Sequence, residues 1–226
     1  MRDIQAVVVG AGFAGAGTGR ELKRRGVDTV VLERKERVGE AWRGRYDSLR
    51  LNTIRWQSHA PGRRMPRSYG RWVRRDDIAD YLESYVREEK VPVTYGVEAR
   101  RVERAGGGYV IRTSKDDYSA GAVIVASGYD REPRLPEWPG AEGFEGELIH
   151  ASAYRNPEPY RGKDVLVVSA GNTGSEIALE LTRNGAGRVR SAMRSAPNVA
   201  PRNLLGLPGP IFGTGVELWP RVLATG

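Results

Sequence analysis

An apolar run, Ala6-Val7-Val8-Val9, lies between polar residues and Gly10 and predicts a short buried strand. From Phe13 to Arg25, small residues fall on one side of a helical period and Arg20, Glu21, Lys23, Arg24 and Arg25 on the other. This predicts a helix that Gly26 ends as a C-cap. A second apolar run, Thr29 to Glu33, predicts another buried strand, so the first 33 residues read as a β-α-β unit. Val38 to Arg75 has weak periodicity and abundant Arg, Gly, Pro and aromatics, the pattern of a long folded loop, and such loops are often functional. Asp76 to Glu89 is the clearest amphipathic helix. Ile78, Tyr81, Leu82, Tyr85 and Val86 share a face, and Asp76 or Asp77 is suited to start it.

Beyond Val91 the period shortens to two. The stretches 97–104, 109–113 and 119–125 are separated by Gly106-Gly107-Gly108 and by Asp116-Asp117, which predicts a small antiparallel insertion returning to a buried strand, Ala122 to Ala126. Ser127-Gly128-Tyr129 and the segment Pro133 to Pro139 read as a linker. A second β-α-β unit follows: strand Asp164 to Val168, helix Gly174 to Arg183, a stop at Gly185 and Gly187, and strand Arg188 to Met193. Pro197 to Gly226 is Pro- and Gly-rich and ends without a capping element, as if in mid-domain. The expected fold class is α/β with two Rossmann-like dinucleotide-binding units, the second incomplete, arranged as residues 1–150 and 151–226.

Composition narrows the function classes. With 226 residues, 39% hydrophobic and 28% charged, the chain reads as a soluble globular protein, and no apolar run approaches the roughly 20 residues of a membrane span. Met1 to Gln5 lead straight into the first strand without the order of a signal peptide, so a cytoplasmic location is expected. No cysteine is present and histidine occurs only at 59 and 150, so neither disulfide chemistry nor a metal site is expected. The net charge of +8 raises nucleic acid as a partner. Its source is mostly arginine scattered over many elements, with five lysines and no tail or stripe, and no nucleic-acid partner is expected.

Two constellations carry chemistry. Gly10-Ala11-Gly12-Phe13-Ala14-Gly15 follows a strand, opens a helix, and precedes Glu33 at the end of the next strand. That is the dinucleotide fingerprint: glycines for a tight turn, close approach of a pyrophosphate and helix packing, and an acid for a ribose hydroxyl. Glu33 would repel a 2′-phosphate, so this site is expected to hold FAD or NAD, on Gly10, Gly12, Phe13, Ala14, Gly15, Glu33 and the adjoining Arg34. The second constellation, Ser169-Ala170-Gly171-Asn172-Thr173-Gly174, lacks the first glycine. Counting 23 positions, the Gly10–Glu33 spacing, onward from Ser169 reaches Ala192, flanked by Arg190 and Arg194 instead of a carboxylate. Arginine there suits a 2′-phosphate and hence NADPH, with Gly171, Asn172, Thr173 and Gly174 as the turn.

Between the two turns, Phe144 to Tyr154 fits the pattern FxGxxxHxxxY, and the chain resembles flavin-containing monooxygenases, including their bacterial and YUCCA-type members. Val38 to Arg43, Tyr46 to Thr53 and Ala126 to Tyr129 resemble the family's GGxW, YxxLxxN and ATGY segments, with Glu40, Ser127 and Ser169 as departures. The resemblance implies an FAD- and NADPH-dependent monooxygenase. It would insert one oxygen atom from O2 into a small soft-nucleophile or keto-acid substrate through a flavin C4a-hydroperoxide. It further implies that Trp42, Arg43, Ser127 and Gly128 join the FAD site, and that Asn52, matching the family's active-site asparagine, acts on the oxygenating step. Family members run to about twice this length, so a homo-oligomer or a complementing chain is a further expectation. Two alternatives stay open: a non-catalytic FAD- or nucleotide-binding fragment, and a flavoprotein reductase, although the absence of cysteine removes a redox pair.

Overall fold

The computed structural model describes residues 1–129, 132–169 and 171–195, together with the short pairs 203–204 and 207–208. Apart from those pairs, the reading of 197–226 lies outside the described residues. The chain divides into two compact units, Met1–Arg134 and Leu135–Gly226, with the division inside the Pro-rich linker.

The first unit is a six-stranded sheet built on β1 (Arg2–Val9), β2 (Thr29–Leu32), β3 (Val93–Thr94), β4 (Ala99–Ala105), β5 (Gly108–Thr113) and β6 (Tyr118–Val125). The order is β3-β2-β1-β6-β5-β4, parallel through β6 and antiparallel beyond it. The expected antiparallel insertion is thus an extension of the main sheet. Alternate β1 side chains enter opposite cores, as the strand period requires. Val8 joins Val31, Tyr81 and Tyr85 on one face, while Val7 joins Leu32, Ile111 and Tyr118 on the other. The end of β6 departs from expectation, because Val125 is 70% exposed. Among the described residues β5 pairs only with residues 118–120 of β6, and no other strand pairs on that edge of its last residues.

Helix α1 (Phe13–Arg24) lies on the first face through its small residues, and a Cβ at Gly19 would stand 2.4 Å from Val31 Cγ2. Arg25 occupies the cap and Gly26, at φ +75°, turns the chain out one residue later. The loop from 38 to 74 contains helix α2 (Glu40–Arg43) and two 3-10 turns, Arg55–Gln57 and Arg67–Tyr69. Val38, Ile54, Ala60, Met65 and Val73 are buried in it. Helix α3 (Arg75–Glu88) buries every apolar residue that the periodicity assigns to its inner face. Asp76 and Asp77 do not cap it. They occupy its first turn, after an Arg74 cap that makes no side-chain hydrogen bond, where carboxylates complement the helix dipole.

Two phenols of α3 pin the loop. Tyr81 donates to the Arg63 carbonyl at 2.6 Å and accepts from Ala60 N–H at 2.8 Å, while Tyr85 donates to the Pro61 carbonyl at 2.9 Å. Burial pushes the Tyr85 phenol up to about 12. On the outer side, Arg63 pairs with Glu88, and Arg43 bonds Asp80 at 3.0 Å and Glu83 at 2.8 Å. A loop of weak periodicity is therefore ordered by the helix that follows it.

In the second unit β7 (Asp164–Val168) pairs in parallel with β8 (Arg188–Ala192), and α4 (Asn172–Arg183) joins them, burying Ile177 and Leu181. The helix starts at Asn172, two residues before the position its apolar pattern indicates. Among the described residues, no helix is long and apolar enough to cross a membrane.

Candidate functional site

The first turn assigns a separate task to each glycine. Gly10 has φ +100°, and a Cβ there would lie 2.6 Å from the Ala126 carbonyl oxygen, because the chain leaving β6 runs beside the turn and Ala126 N–H bonds the Val9 carbonyl. At Gly15 a Cβ would fall 1.7 Å from the Gly10 carbonyl oxygen, so α1 packs against the turn with no room for a side chain. Gly12 differs: a Cβ would meet nothing within 4 Å. The protein's own packing does not require a glycine at this position, which leaves an open approach to the start of α1. That helix end has no side-chain cap and no acid in its first turn, so its unclaimed N–H groups and dipole suit an anion.

Glu33 follows β2 and is held there by two backbone donors, Ala11 N–H to Oε2 at 3.0 Å and Lys35 N–H to Oε1 at 2.9 Å. These structures border one cleft of about 680 Å³, within the range of small-molecule sites. Gly10, Gly12, Phe13, Ala14, Glu33, Arg34, Trp42, Ser127 and Gly128 all line it, so the fold brings together most residues singled out in the first unit. Phe13 and Trp42 meet edge to face, with centroids 6.2 Å apart. Residues 97–99 also reach the cleft, because Val97 N–H donates to the Glu33 carbonyl at 2.9 Å. Nothing in the sequence periodicity marks that approach.

Three residues stand elsewhere. Gly15 supports the turn from behind. The Arg43 guanidinium is engaged by the Val38 carbonyl, Asp80 and Glu83, and it does not line the cleft. Asn52 is exposed and outside the cleft lining, in a loop held by the Arg50–Arg74 bridge and the Leu51 N–H bond to the Val73 carbonyl at 2.9 Å. The departure at position 40 has a local role, since Glu40 Oε1 accepts from Arg37 Nε at 2.5 Å.

The second turn repeats two of the three glycine tasks. A Cβ at Gly174 would lie 2.7 Å from Ser169 Cβ, the packing position, whereas at Gly171 it would make only ordinary contact, 3.7 Å from Ser169 Oγ. Ser169 Oγ accepts from Gly171 N–H at 3.2 Å, and α4 likewise begins with neither a side-chain cap nor a first-turn acid. Asn172 is exposed and Thr173 half-buried at that helix start. Strand register corrects the residue count. Val9, before Gly10, pairs with Leu32, and Val168, before Ser169, pairs with Ala192. The position equivalent to Glu33 is therefore Met193 rather than Ala192, because the second crossover is one residue longer. Arg194 stands immediately beyond it, at the end where the turn lies, while Arg190 sits within β8 opposite Leu166.

Within Phe144 to Tyr154 the contacts are local except at Tyr154. A Cβ at Gly146 would be 2.4 Å from Phe144 Cζ, and Ser152 N–H donates to His150 Nδ1 at 3.1 Å. Tyr154, 3% exposed, donates to Glu180 Oε2 on α4 at 2.9 Å.

The family model described as pyridine nucleotide-disulphide oxidoreductase matches residues 7–202. The chain belongs to that family. Its relatives are of the kind the motifs indicate. An indole-3-pyruvate monooxygenase of Oryza sativa subsp. japonica, YUCCA4, is 37% identical over 95% of this chain and 52% of its own length. The flavin-containing monooxygenase from Stenotrophomonas maltophilia superposes with a TM-score of 0.87 at 28% identity, covering 99% of this chain and 69% of that one. S-allyl-L-cysteine S-oxygenase from Allium sativum superposes with a TM-score of 0.78 at 27% identity, covering 91% and 54%. The chain spans about half the length of the curated relatives it matches. The resemblance to flavin monooxygenases and the α/β, Rossmann-type fold are thus borne out, and the family name does not require cysteine chemistry of this chain, which has none.

Proposed function

We propose that this pyridine nucleotide-disulphide oxidoreductase family chain binds FAD on its first unit and NADPH on its second, and serves a flavin monooxygenase reaction. One oxygen atom of O2 would be inserted into a small soft-nucleophile or keto-acid substrate. The observation that carries the reading is Gly12, open on its Cβ side at an uncapped helix start, with Glu33 fixed beside it on the same cleft. Those residues fit FAD. Gly12 and the α1 N–H groups would receive the pyrophosphate, and Glu33 would accept from a ribose hydroxyl while rejecting a 2′-phosphate by like charge. Trp42, Ser127 and Gly128 would wall the rest of the cleft. Reduced FAD, when bound, supplies the oxygen-activating chemistry, which no side chain can.

In the second unit Gly171, Asn172, Thr173 and Gly174 would hold the nicotinamide dinucleotide, and Arg194 would pair with its 2′-phosphate, a match that charge-assisted hydrogen bonds favour. Asn52 keeps its assignment on the oxygenating step from the family resemblance, as an amide donor that limits loss of oxygen as hydrogen peroxide. A second reading, non-catalytic FAD binding, is favoured by one observation: Asn52 is exposed and does not line the cleft.

The deciding experiment is the visible spectrum of the purified chain, before and after anaerobic addition of NADPH. A flavin spectrum that NADPH bleaches is expected. Glu33→Arg is expected to reduce flavin affinity by about tenfold or more, the equivalent of a lost hydrogen bond to a charged group. Asn52→Ala should retain flavin and bleaching but release more peroxide per NADPH consumed. A colourless chain would sink the FAD assignment, and bound flavin indifferent to NADPH would favour the second reading.

A further inference from the structure

The contacts of Tyr154 reach the nucleotide turn through a helix. A buried phenol oxygen needs a hydrogen-bond partner, and Tyr154 finds it on Glu180, two helical turns along α4 from Asn172. Its ring is seated against Tyr160, with centroids 5.7 Å apart, in the 3-10 turn Glu158–Tyr160. The segment before β7 therefore grips α4 in its carboxy-terminal half. Ile177 and Leu181 hold the same helix by apolar contact, which resists separation but has no preferred direction. A hydrogen bond does have one, and it fixes how far α4 is slid and turned. Gly174, packed on Ser169, and Gly171 sit at the amino end of that helix, so its setting decides where their N–H groups point.

We propose that Tyr154 and Glu180 form a positioning pair for the second nucleotide site, setting the register of α4 and thereby aiming the Gly171–Gly174 turn at a dinucleotide pyrophosphate. This rests on the nucleotide reading of that turn. Neither residue is a catalytic group. The pair accounts for the tyrosine that ends the FxGxxxHxxxY segment by what it does to a helix about 20 residues further along the chain.

The test titrates the full 226-residue chain with NADPH by nucleotide fluorescence, with thermal melting and flavin content measured alongside. Tyr154→Phe removes the donor, Glu180→Leu removes the acceptor, and Glu180→Gln keeps an amide oxygen that can accept. NADPH should bind about 5- to 10-fold more weakly to Tyr154→Phe and to Glu180→Leu, and within about twofold of the parent to Glu180→Gln. The double variant Tyr154→Phe/Glu180→Leu should be no weaker than either single change, because both remove the same bond. Flavin content should stay that of the parent. Parent-like NADPH affinity in Tyr154→Phe overturns the positioning role. So does a Glu180→Gln as weak as Glu180→Leu, or a loss of flavin together with NADPH. A parent chain that takes up no NADPH overturns the nucleotide reading itself.

Discussion

The two glycine turns share one β-α-β scheme, yet only the first begins with glycine. At Gly10 the backbone is left-handed and the Ala126 carbonyl oxygen, just past β6, lies 2.6 Å from where a Cβ would be, so two constraints exclude any side chain. Ser169 lies outside the left-handed region, and among the described residues β7 pairs only with β8. The packing of the neighbouring strand end is thus enough to require the first glycine. The other two tasks are kept in both turns: an open position at Gly12 and Gly171, and a packed one at Gly15 and Gly174. A missing first glycine therefore does not argue against a nucleotide at the second turn.

The packed positions offer the largest effect. Gly15→Ala drives a methyl into the Gly10 backbone, which cannot give without moving the turn, and is expected to cost about 3 kcal/mol and abolish flavin retention. Gly174→Ala meets mainly a serine side chain and should cost nearer 1–2 kcal/mol. Chemical denaturation of both variants ranks them, and an equal cost would break the distinction between the turns.

The first positions come next. Gly10→Ser combines a left-handed non-glycine residue, about 1–2 kcal/mol, with the clash against Ala126, and should lose flavin. Ser169→Gly should leave NADPH affinity within about threefold, because it removes the Oγ acceptor of the Gly171 N–H, worth about 0.5–1 kcal/mol, and a small side chain packed on Gly174. Nucleotide titration of Ser169→Gly measures this, and a large change in either direction would make the hydroxyl a ligand contact.

The finest distinction separates two arginines. Register puts Arg194 just past the position equivalent to Glu33, and Arg190 inside the strand. Arg194→Ala should lower the preference for NADPH over NADH by about tenfold, and Arg190→Ala by less than about threefold. The affinity ratio for the two nucleotides is the measurement, and the reverse ranking would mean that the count from the sequence locates the phosphate better than the register does.

Local chemistry was readable from the residues themselves. Buried strands such as Ala6–Val9, the inner face of α3, the glycine turns and the acid at Glu33 all follow from periods of 2 and 3.6 and from the conformations that glycine allows. These depend on residues close together in the chain, so a linear reading captures them. The resemblance carried by Phe144 to Tyr154 was equally local, and the family comparisons agree with it.

Other features depended on residues distant in sequence. No local pattern shows that Arg43 is consumed by Asp80 and Glu83, since its partners lie on a helix 37 and 40 residues on. The same holds for the loop fastened by Tyr81 and Tyr85, for 97–99 drawn to the cleft by Glu33, and for the exposure of Val125 at the end of β6. The one-residue longer second crossover could not be counted either, because only the pairing of Val168 with Ala192 defines which residue ends the strand. The amino-acid sequence by itself fixed which segments could turn, bury or bear charge. Tertiary structure alone decided which of those charges and hydroxyls are already satisfied by the protein and which positions, Gly12 above all, face open space.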